Sequence, residues 1–480
     1  MTDGLRPYPS YKPSGVAWLG DVPAGWDVLP GRACFREKCI RNKGMPEKTV
    51  LSLSYGRIVV KPPEKLHGLV PASFETYQIV EPGDIVCRPT DLQNDWNSLR
   101  FGFASARGII TSAYMNLSPK RGITPQYGYS LLNTYDLLKV FYGLGSGLRQ
   151  NLDWSDFKYL PCLVPSSAEQ SAVVRYLDHM DRRIRKYIRA KQKLIRLLNE
   201  QKQAIIHKAV TRGLDLNVKL KPSGVPWLGD VPEHWEIARL KDAATVQTGL
   251  TLGKNYKGVT TESRPYLRVA NVQVGRVDLR HIKYVGVPAT EAIGATLRAG
   301  DVLMTEGGDI DKLGRGCVWH DEIPGCLHQN HIFAVRCRPD LLVPEFLVGL
   351  MASLHGRTYF QLTAKQTTNL ASTNSSTLRA FPILLPPVAE QKAILAEIAE
   401  RTAGVEAAIA RSVTELSLLR EYRTRLVADV VTGKLDVREA AAGLPKEAGE
   451  TESVDEIEAD ADDIEDSVGE VEADDGEAGS

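Results

Sequence analysis

The sequence predicts an α+β protein: two mixed α/β lobes separated by two long antiparallel coiled-coil helices, arranged as a pseudo-twofold tandem repeat with a disordered acidic C-terminal tail. Three observations predict it. The first is a duplicated tryptophan-containing segment: residues 12–26 read KPSGVAWLGDVPAGW and residues 221–235 read KPSGVPWLGDVPEHW, identical at twelve of fifteen positions. The second is a pair of long, proline-free helical patterns, and the third is a charge distribution that collects sixteen acidic residues between Glu447 and Glu477.

The duplication sets the domain plan, since an internal repeat decides architecture before any motif does. VPSSAEQSAVVRYL (164–177) corresponds to LPPVAEQKAILAEI (385–398), and LLNEQKQAIIHKAVTRGLD (197–215) to LLREYRTRLVADVVTGKLD (418–436), at a constant offset of 221 from Ala168 onward. The chain therefore divides into a first lobe over 1–163 with its leading segment at 12–26, a first spacer helix over 164–215, a second lobe over 216–384 with its leading segment at 221–235, a second spacer helix over 385–437, and a tail over 438–480.

The helices are predicted from periodicity. Val173, Leu177, Met180, Ile184, Tyr187, Leu194, Leu198 and Ile205 recur in alternating steps of four and three, with Lys191 and Gln201 in the two vacant places. That is the seam of a coiled coil rather than the broad stripe of a helix packed into a globule. Ile394, Ile398, Val405, Ile409, Leu416, Leu419, Leu426 and Val430 give a looser version in the second helix. Proline opens each helix (Pro165; Pro386 and Pro387) and glycine stands near each end (Gly213 and Gly433), the expected asymmetry. Neither helix can bury its seam alone, so the two pack on each other. Because the second leading segment follows the first helix directly, equivalence of the units places the N-terminal copy at the end of the second helix.

Within the lobes, short apolar runs bounded by Gly, Pro and Asp read as strands: Thr49–Leu53, Gly83–Cys87 and Gly108–Thr111 in the first, Tyr266–Ala270, Gly300–Met304 and His331–Val335 in the second. EPGDIVCRP (81–89) and RAGDVLMTE (298–306) correspond as strand beginnings. Otherwise the two lobes differ widely inside two similar frames.

The formal net charge of zero conceals an asymmetry. With 59 basic and 59 acidic residues in all, and no Lys or Arg after Lys446, the sixteen acidic residues of the tail leave positions 1–446 sixteen charges positive. So basic a body favours a polyanionic partner, because each cation near a phosphate releases condensed counterions. The tail, with almost no aromatic residues, reads as disordered. No apolar run approaches the length of a membrane span, and the opening MTDGLRPYPSYKPSG has no apolar core, so neither membrane insertion nor secretion is expected. Seven cysteines at irregular spacing suggest no disulfide framework and fit a reducing cytoplasm.

Candidate catalytic motifs fail on context. YGLGSG (142–147) has no surrounding βαβ unit, and GLTLGK (249–254) is one residue short of a phosphate-binding loop and lacks the following Ser or Thr. Asp156-Phe-Lys158 has no upstream Pro-Asp partner; the only one, Pro339-Asp340, lies far downstream. Cys317, His320, Cys326, His328, His331 and Cys337 have chemistry suited to zinc, but their spacing matches no standard site and the first lobe has no counterpart.

The W-L-G-D-V-P-x-x-W segment, the P-x-x-A-E-Q opening of each helix, the L-x-x-E … V-T-x-x-L-D close, and GSGLRQNLDWSDFKYLPCLVP (145–165) before the first helix, in duplicated order over 12–437, resemble the specificity subunit of type I restriction–modification enzymes. The resemblance implies that each lobe is a target recognition domain reading one half of a split sequence in double-stranded DNA. The helices would set the gap and bind two methyltransferase subunits, and motor–nuclease subunits would join them. It implies no cofactor in this chain, with S-adenosylmethionine, ATP and magnesium on the partners. Polar stretches bounded by glycine are then the expected readers, because Arg, Lys, Asn, Gln and His suit base edges and phosphates. They are Arg88–Arg100 in the first lobe, with Arg88, Asn94, Asn97 and Arg100, and Glu306–Arg315 and Gln366–Asn374 in the second, with Lys312, Arg315, Gln366 and Asn369; His328, Gln329 and Asn330 could equally contact bases. The basic run RRIRKYIRAKQK (182–193) could track the backbone between half-sites or be a solvated helix face. Two other readings stay open: a bifunctional enzyme with a metal-dependent nuclease site in one lobe, and a coiled-coil adaptor that never touches DNA. If the tail competes with DNA for the basic body, deleting residues 447–480 will tighten non-specific duplex binding at low salt; unchanged affinity in a titration would dispose of the idea.

Overall fold

A computed structural model describes residues 5–445 except 55, 63–72, 97, 145–149, 216, 255, 309, 311–312, 315 and 367–370. Of the tail predicted as disordered over 438–480, the first residues are ordered, a correction: Arg438–Ala442 forms a helix, because its apolar Ala441 and the following Leu444 pack into the first unit's core, and residues 446–480 lie outside the described residues. The chain forms two compact units, Met1–Ala190 with Glu415–Ser480, and Lys191–Thr414. Each therefore contains one lobe and part of both long helices, Ser167–Arg212 (46 residues) and Val388–Val431 (44 residues).

The repeated residues build the same small frame in each unit. In the first, Tyr11–Pro13 pairs antiparallel with Asp21–Pro23; in the second, Leu220–Pro222 pairs with Asp230–Pro232. The tryptophan that closes each copy is wholly buried, Trp26 in one unit and Trp235 in the other. A buried indole N–H needs an acceptor, and the glutamate of A-E-Q supplies it: Trp26 Nε1 donates to Glu169 Oε1 at 3.2 Å, and Trp235 Nε1 to Glu390 Oε1 at 3.0 Å. The adjacent glutamine is buried as well. Gln170 accepts from the Thr124 N–H at 2.7 Å and donates to the carbonyls of Gly122 and Pro165 at 2.8 and 2.9 Å. Gln391 accepts from the Val343 N–H at 2.9 Å and donates to Leu341 and Pro386 at 2.7 and 2.8 Å. Thr124 and Val343 precede the lobe helices Pro125–Leu137 and Pro344–Ala352, so each glutamine satisfies a helix-start donor that has no partner within its own helix.

The earlier tryptophan of each copy covers a ring that ties down the lobe's last strand. Trp18 meets Tyr135 edge to face at 4.9 Å, and the Tyr135 hydroxyl donates to the Pro161 carbonyl at 2.9 Å. Trp227 Nε1 donates to His355 Nδ1 at 3.1 Å, which leaves Nε2 as the protonated nitrogen facing the Pro382 carbonyl at 2.7 Å. Those prolines begin strands Pro161–Val164 and Pro382–Leu385, which pair antiparallel with the lobes' first strands, Asp27–Pro30 and Glu236–Arg239. Each lobe is thus a chain segment zipped shut at its base.

Inside the lobes, one strand order recurs. Phe35–Glu37, Met115–Pro119, Ile85–Cys87 and Phe101–Phe103 lie side by side in that order, as do Ala244–Thr248, Ile332–Cys337, Asp301–Thr305 and Gly316–Val318. The G-D strand beginnings make matching bonds: Gly83 N–H to Ala104 O and Gly300 N–H to Trp319 O, both 2.8 Å. Glu81 N–H donates to Asp84 Oδ2 at 2.9 Å, and Arg298 N–H to Asp301 Oδ2 at 2.8 Å. The strand expected over Tyr266–Ala270 begins earlier, at Glu262–Leu267, and gives way to a short 3₁₀ turn at Val269–Asn271, where the Asn271 side chain accepts from the Arg268 N–H.

Of the seam residues, Val173, Leu177, Met180 and Ile184 share one core with Leu426, Val430 and Val431 in the first unit. Ile394 is buried in the second unit's core with Ala209 and Val210, and Ile398 packs against it. Leu198, Ile205, Val405, Ile409 and Leu419 are half-buried and Leu416 is buried. Leu194 departs from the expected seam, 40% exposed, as does Tyr187 at 49%. The half-buried positions are instead Ile188 and Ile195. The physical reason is angular drift: a straight α-helix turns about 20° short of a whole number of turns per heptad, so its buried stripe moves to a neighbouring residue. Val173, Ile184, Ile195 and Ile206, spaced by eleven, mark the stripe that is used. Asp181 joins Arg423 at 2.6 Å in the first unit, and Lys202 joins Glu406 at 2.6 Å in the second.

Both helices end on a left-handed glycine placed against the frame. Gly213 has φ +72°, and a Cβ there would meet the Trp235 ring at 3.2 Å; Gly433 has φ +76°, and a Cβ would meet Pro23 at 2.5 Å and Trp26 at 3.1 Å. The N-terminal copy therefore lies against the end of the second helix, where the Tyr11 hydroxyl also donates to the Gly433 carbonyl at 3.2 Å. We expect Gly433→Ala to destabilise the first unit by about 2 kcal/mol or more, combining backbone strain with a clash. Gly15→Ala, at φ +74° with nothing within 4 Å, is the control for strain alone. Equal shifts of the two variants in chemical denaturation would refute the clash.

Candidate nucleic-acid interface

The polar stretch expected to read DNA in the first lobe is a loop built around Arg100. That residue is 1% exposed, and its guanidinium donates inward to the carbonyls of Arg88 (3.4 Å), Thr90 (2.7 Å), Asp91 (3.1 Å) and Asp95 (2.6 Å). Its backbone N–H donates to Asp136 Oδ2 at 2.7 Å, and its charge sits 5.1 Å from the Tyr142 ring centre. Burial pushes the Asp136 carboxyl above its ordinary range, partly offset by that hydrogen bond and by the charges of Lys139 and Arg100. Arg100 is therefore not a base reader in this conformation, a correction to the sequence expectation: a cation that closes so many carbonyls has no donor left for DNA. Arg88 is half-buried and pairs with Asp95 at 3.2 Å. Asn94 is exposed, its amide donating to Asp91 Oδ1 at 2.9 Å. Asn97 lies outside the described residues.

Sequence reasoning passed over Trp96. It stands 51% exposed at the tip of this loop, stacked on Tyr142 at 4.5 Å. The available signal was a lone large aromatic within DLQNDWNSLR, a stretch otherwise made of loop-forming polar residues.

In the second lobe the structure brings two of the expected stretches together. Gly307–Gly308 pairs with Ala371–Ser372, which pairs in turn with Lys365–Gln366, placing these three short strands in one small sheet. Gln366 is exposed on its edge strand. Glu306 links this sheet to the strand end at His331, receiving His331 Nδ1 at 2.6 Å, and its backbone N–H bonds the His331 carbonyl at 2.8 Å. Asn330 is half-buried beside His331. Gln329 is half-buried, its side-chain oxygen accepting from the Val269 N–H at 3.1 Å. His328 is fully buried with Nδ1 on the Ala295 carbonyl at 2.9 Å, so it cannot contact a base here, because its ring has no surface open to solvent. Lys312, Arg315 and Asn369 lie outside the described residues.

Along the first long helix, Arg183, Lys186, Lys193 and Arg196 are exposed, whereas Arg185 pairs with Asp181 at 2.5 Å. The Cys/His group does not assemble: among the described residues no three His, Cys, Asp or Glu side chains converge as metal ligands. Cys317 and Cys326 belong to one apolar core with Trp319, and Cys337 packs against another. Burial pushes all three thiols up to about 12, the reverse of what a thiolate ligand needs. Asp156 serves locally, in a capping box with Asp153 at helix Trp154–Phe157.

The architecture defines a class: a mixed α/β protein in which each unit holds one lobe, closed at its base by an antiparallel strand pair, with parts of two long helices. A chain from a solved type I restriction–modification system has this fold, with a TM-score of 0.59 at 14% identity over 85% of this chain and 98% of that one. No family model matches the chain. Curated relatives do. The putative type I restriction enzyme MjaX specificity subunit of Methanocaldococcus jannaschii is 27% identical over 35% of this chain and 39% of its own, so the chain spans well under half of that relative. The MjaVIII specificity subunit of the same organism is 23% identical over 74% and 81%, and the EcoKI specificity subunit of Escherichia coli K12 is 24% identical over 62% and 65%. The chain is a relative of type I restriction enzyme specificity subunits.

Burial holds His207, His328 and His355, all in the second unit, below the ordinary imidazole value of 6.5. The unfolded chain then takes up these protons first, so the stability they confer is whole above about pH 6.5 and is lost as pH falls from there toward the depressed folded values. The denaturation midpoint of the second unit should drop between pH 7.5 and pH 5.5, roughly, and His355→Gln should flatten the drop; a midpoint independent of pH would contradict neutral burial.

Proposed function

We infer that this chain is the DNA sequence-specificity subunit of a type I restriction–modification complex. It reads a bipartite duplex target, one half-site per lobe, and carries no catalytic residues of its own. One observation carries the reading: a single clamp of Trp, Glu and Gln occurs twice with matching bonds, and it holds two lobes that share a strand order but expose different loops. A protein that must present two different reading surfaces to one asymmetric target, while offering one kind of partner two similar docking faces, needs that combination. The recognition domains are residues 1–163 and 216–384, and the spacers 164–215 and 385–437.

The two helices act as an antiparallel ruler and bind two methyltransferase subunits, through which motor–nuclease subunits join. A contact between the two helices within each unit, Asp181 with Arg423 in the first and Lys202 with Glu406 in the second, supports that reading. S-adenosylmethionine, ATP and magnesium belong to the partner subunits. The exposed Arg183, Lys186, Lys193 and Arg196 suit phosphates between the half-sites. The chain works on DNA in the cytoplasm; among the described residues no helix is long and apolar enough to cross a membrane.

The zipped base of each lobe supplies the test. Exchanging residues 27–163 for the corresponding segment of another specificity subunit should change one half of the methylated motif and leave the other half and the gap unaltered, read by methylome sequencing of hosts carrying either gene. A motif that changes in both halves, or does not depend on the gene, would refute the assignment. Cleavage of duplex DNA by the purified chain with magnesium alone would favour a nuclease site in one lobe instead.

A further inference from the structure

The reading loop of the first lobe is organised around a cation that faces no DNA. Arg100 directs its guanidinium at four carbonyls, those of Arg88, Thr90, Asp91 and Asp95, so a stretch with little regular structure has its carbonyls drawn to one centre. Tyr142 completes the centre: its hydroxyl accepts from Arg100 Nε at 3.3 Å and donates to the Asp95 carbonyl at 3.0 Å. On the Tyr142 ring lies Trp96, with ring centres 4.5 Å and planes 30° apart. Two further bonds fix it: Lys139 donates to the Trp96 carbonyl, and the Trp96 indole N–H donates to the Gln93 carbonyl at 3.0 Å.

The state of that indole decides what it can read. Half its surface is open, yet its only polar atom already has a partner, so it offers a ligand nothing but carbon. Among base edges in the major groove, one apolar group exists, the C5 methyl of thymine. The loop is also preorganised, so little conformational freedom is lost when the contact forms. Exposed Gln93 and Asn94 sit beside it, with amides suited to a neighbouring base edge or phosphate.

We propose that Arg100 is the positioning residue of the first lobe's reading loop, and that Trp96 is its apolar reader, packing on one thymine methyl group of the first half-site. This rests on the specificity-subunit reading above. The test uses the chain assembled with its methyltransferase partners and the target mapped by adenine methylation. Binding is titrated with duplexes in which each thymine of the first half-site is replaced in turn by uracil, which removes only the methyl group. The wild type should lose roughly fourfold in affinity at one thymine, the value of one buried methyl. Trp96→Ala should lose about tenfold on the full target and no longer distinguish uracil from thymine at that position. Arg100→Lys, which keeps the charge but cannot span four carbonyls, should lose the same discrimination, while the response to changes in the second half-site stays as in the wild type.

Trp96→Ala binding within about twofold of the wild type, with the same uracil response, would overturn the proposal. Because Trp96 is exposed, that variant decides the matter even if Arg100→Lys fails to fold. A wild-type complex that does not prefer its mapped target over a scrambled duplex would instead overturn the specificity reading itself.

Discussion

The structure depends on one buried constraint, met twice: an indole N–H that must find an acceptor, and a glutamate at the mouth of a long helix that provides it. Trp26 and Trp235 are fully buried, and without Glu169 and Glu390 each would leave an unsatisfied donor in the core, at a cost of about 1–3 kcal/mol. The neighbouring glutamines extend the constraint from the frame into the lobe, because Gln170 and Gln391 each bridge the helix opening and the start of a lobe helix. A short A-E-Q sequence thereby fixes a lead hairpin, a spacer helix and a lobe to one another.

From that clamp follows the separation between frame and lobe. Each lobe leaves and returns through one antiparallel strand pair, so everything between those strands can change without disturbing the spacer. The loops joined to the corresponding sheets differ between the lobes. In the first lobe a buried arginine gathers a loop beneath an exposed tryptophan; in the second a glycine-containing sheet is tied to a histidine by Glu306.

Much of the frame was legible in the amino acids. The paired leading segments, the helix openings and the corresponding G-D strand beginnings all stand where their local signals put them, because each is determined by neighbours close in sequence. The seam was legible only in part: its ends match, but in the middle the half-buried position is Ile195 and not Leu194, since alternating fours and threes do not keep step with 3.6 residues per turn. The site was the least legible. Arg100 and His328 have the chemistry of base readers, and residue type carries no record of which way a side chain faces.

By itself, then, the sequence determined that two alike frames enclose two unlike lobes, that the helices run unbroken by proline, and that the body is basic; repeats, periodicity and charge are properties of order along the chain. Only the tertiary structure decided that Arg100 closes on carbonyls of its own loop while Trp96 remains outside, and that His328 is buried against the Ala295 carbonyl. The reason is physical. Which polar group is satisfied internally and which is left for a ligand depends on burial and on contacts between distant residues, and neither is written in any local pattern.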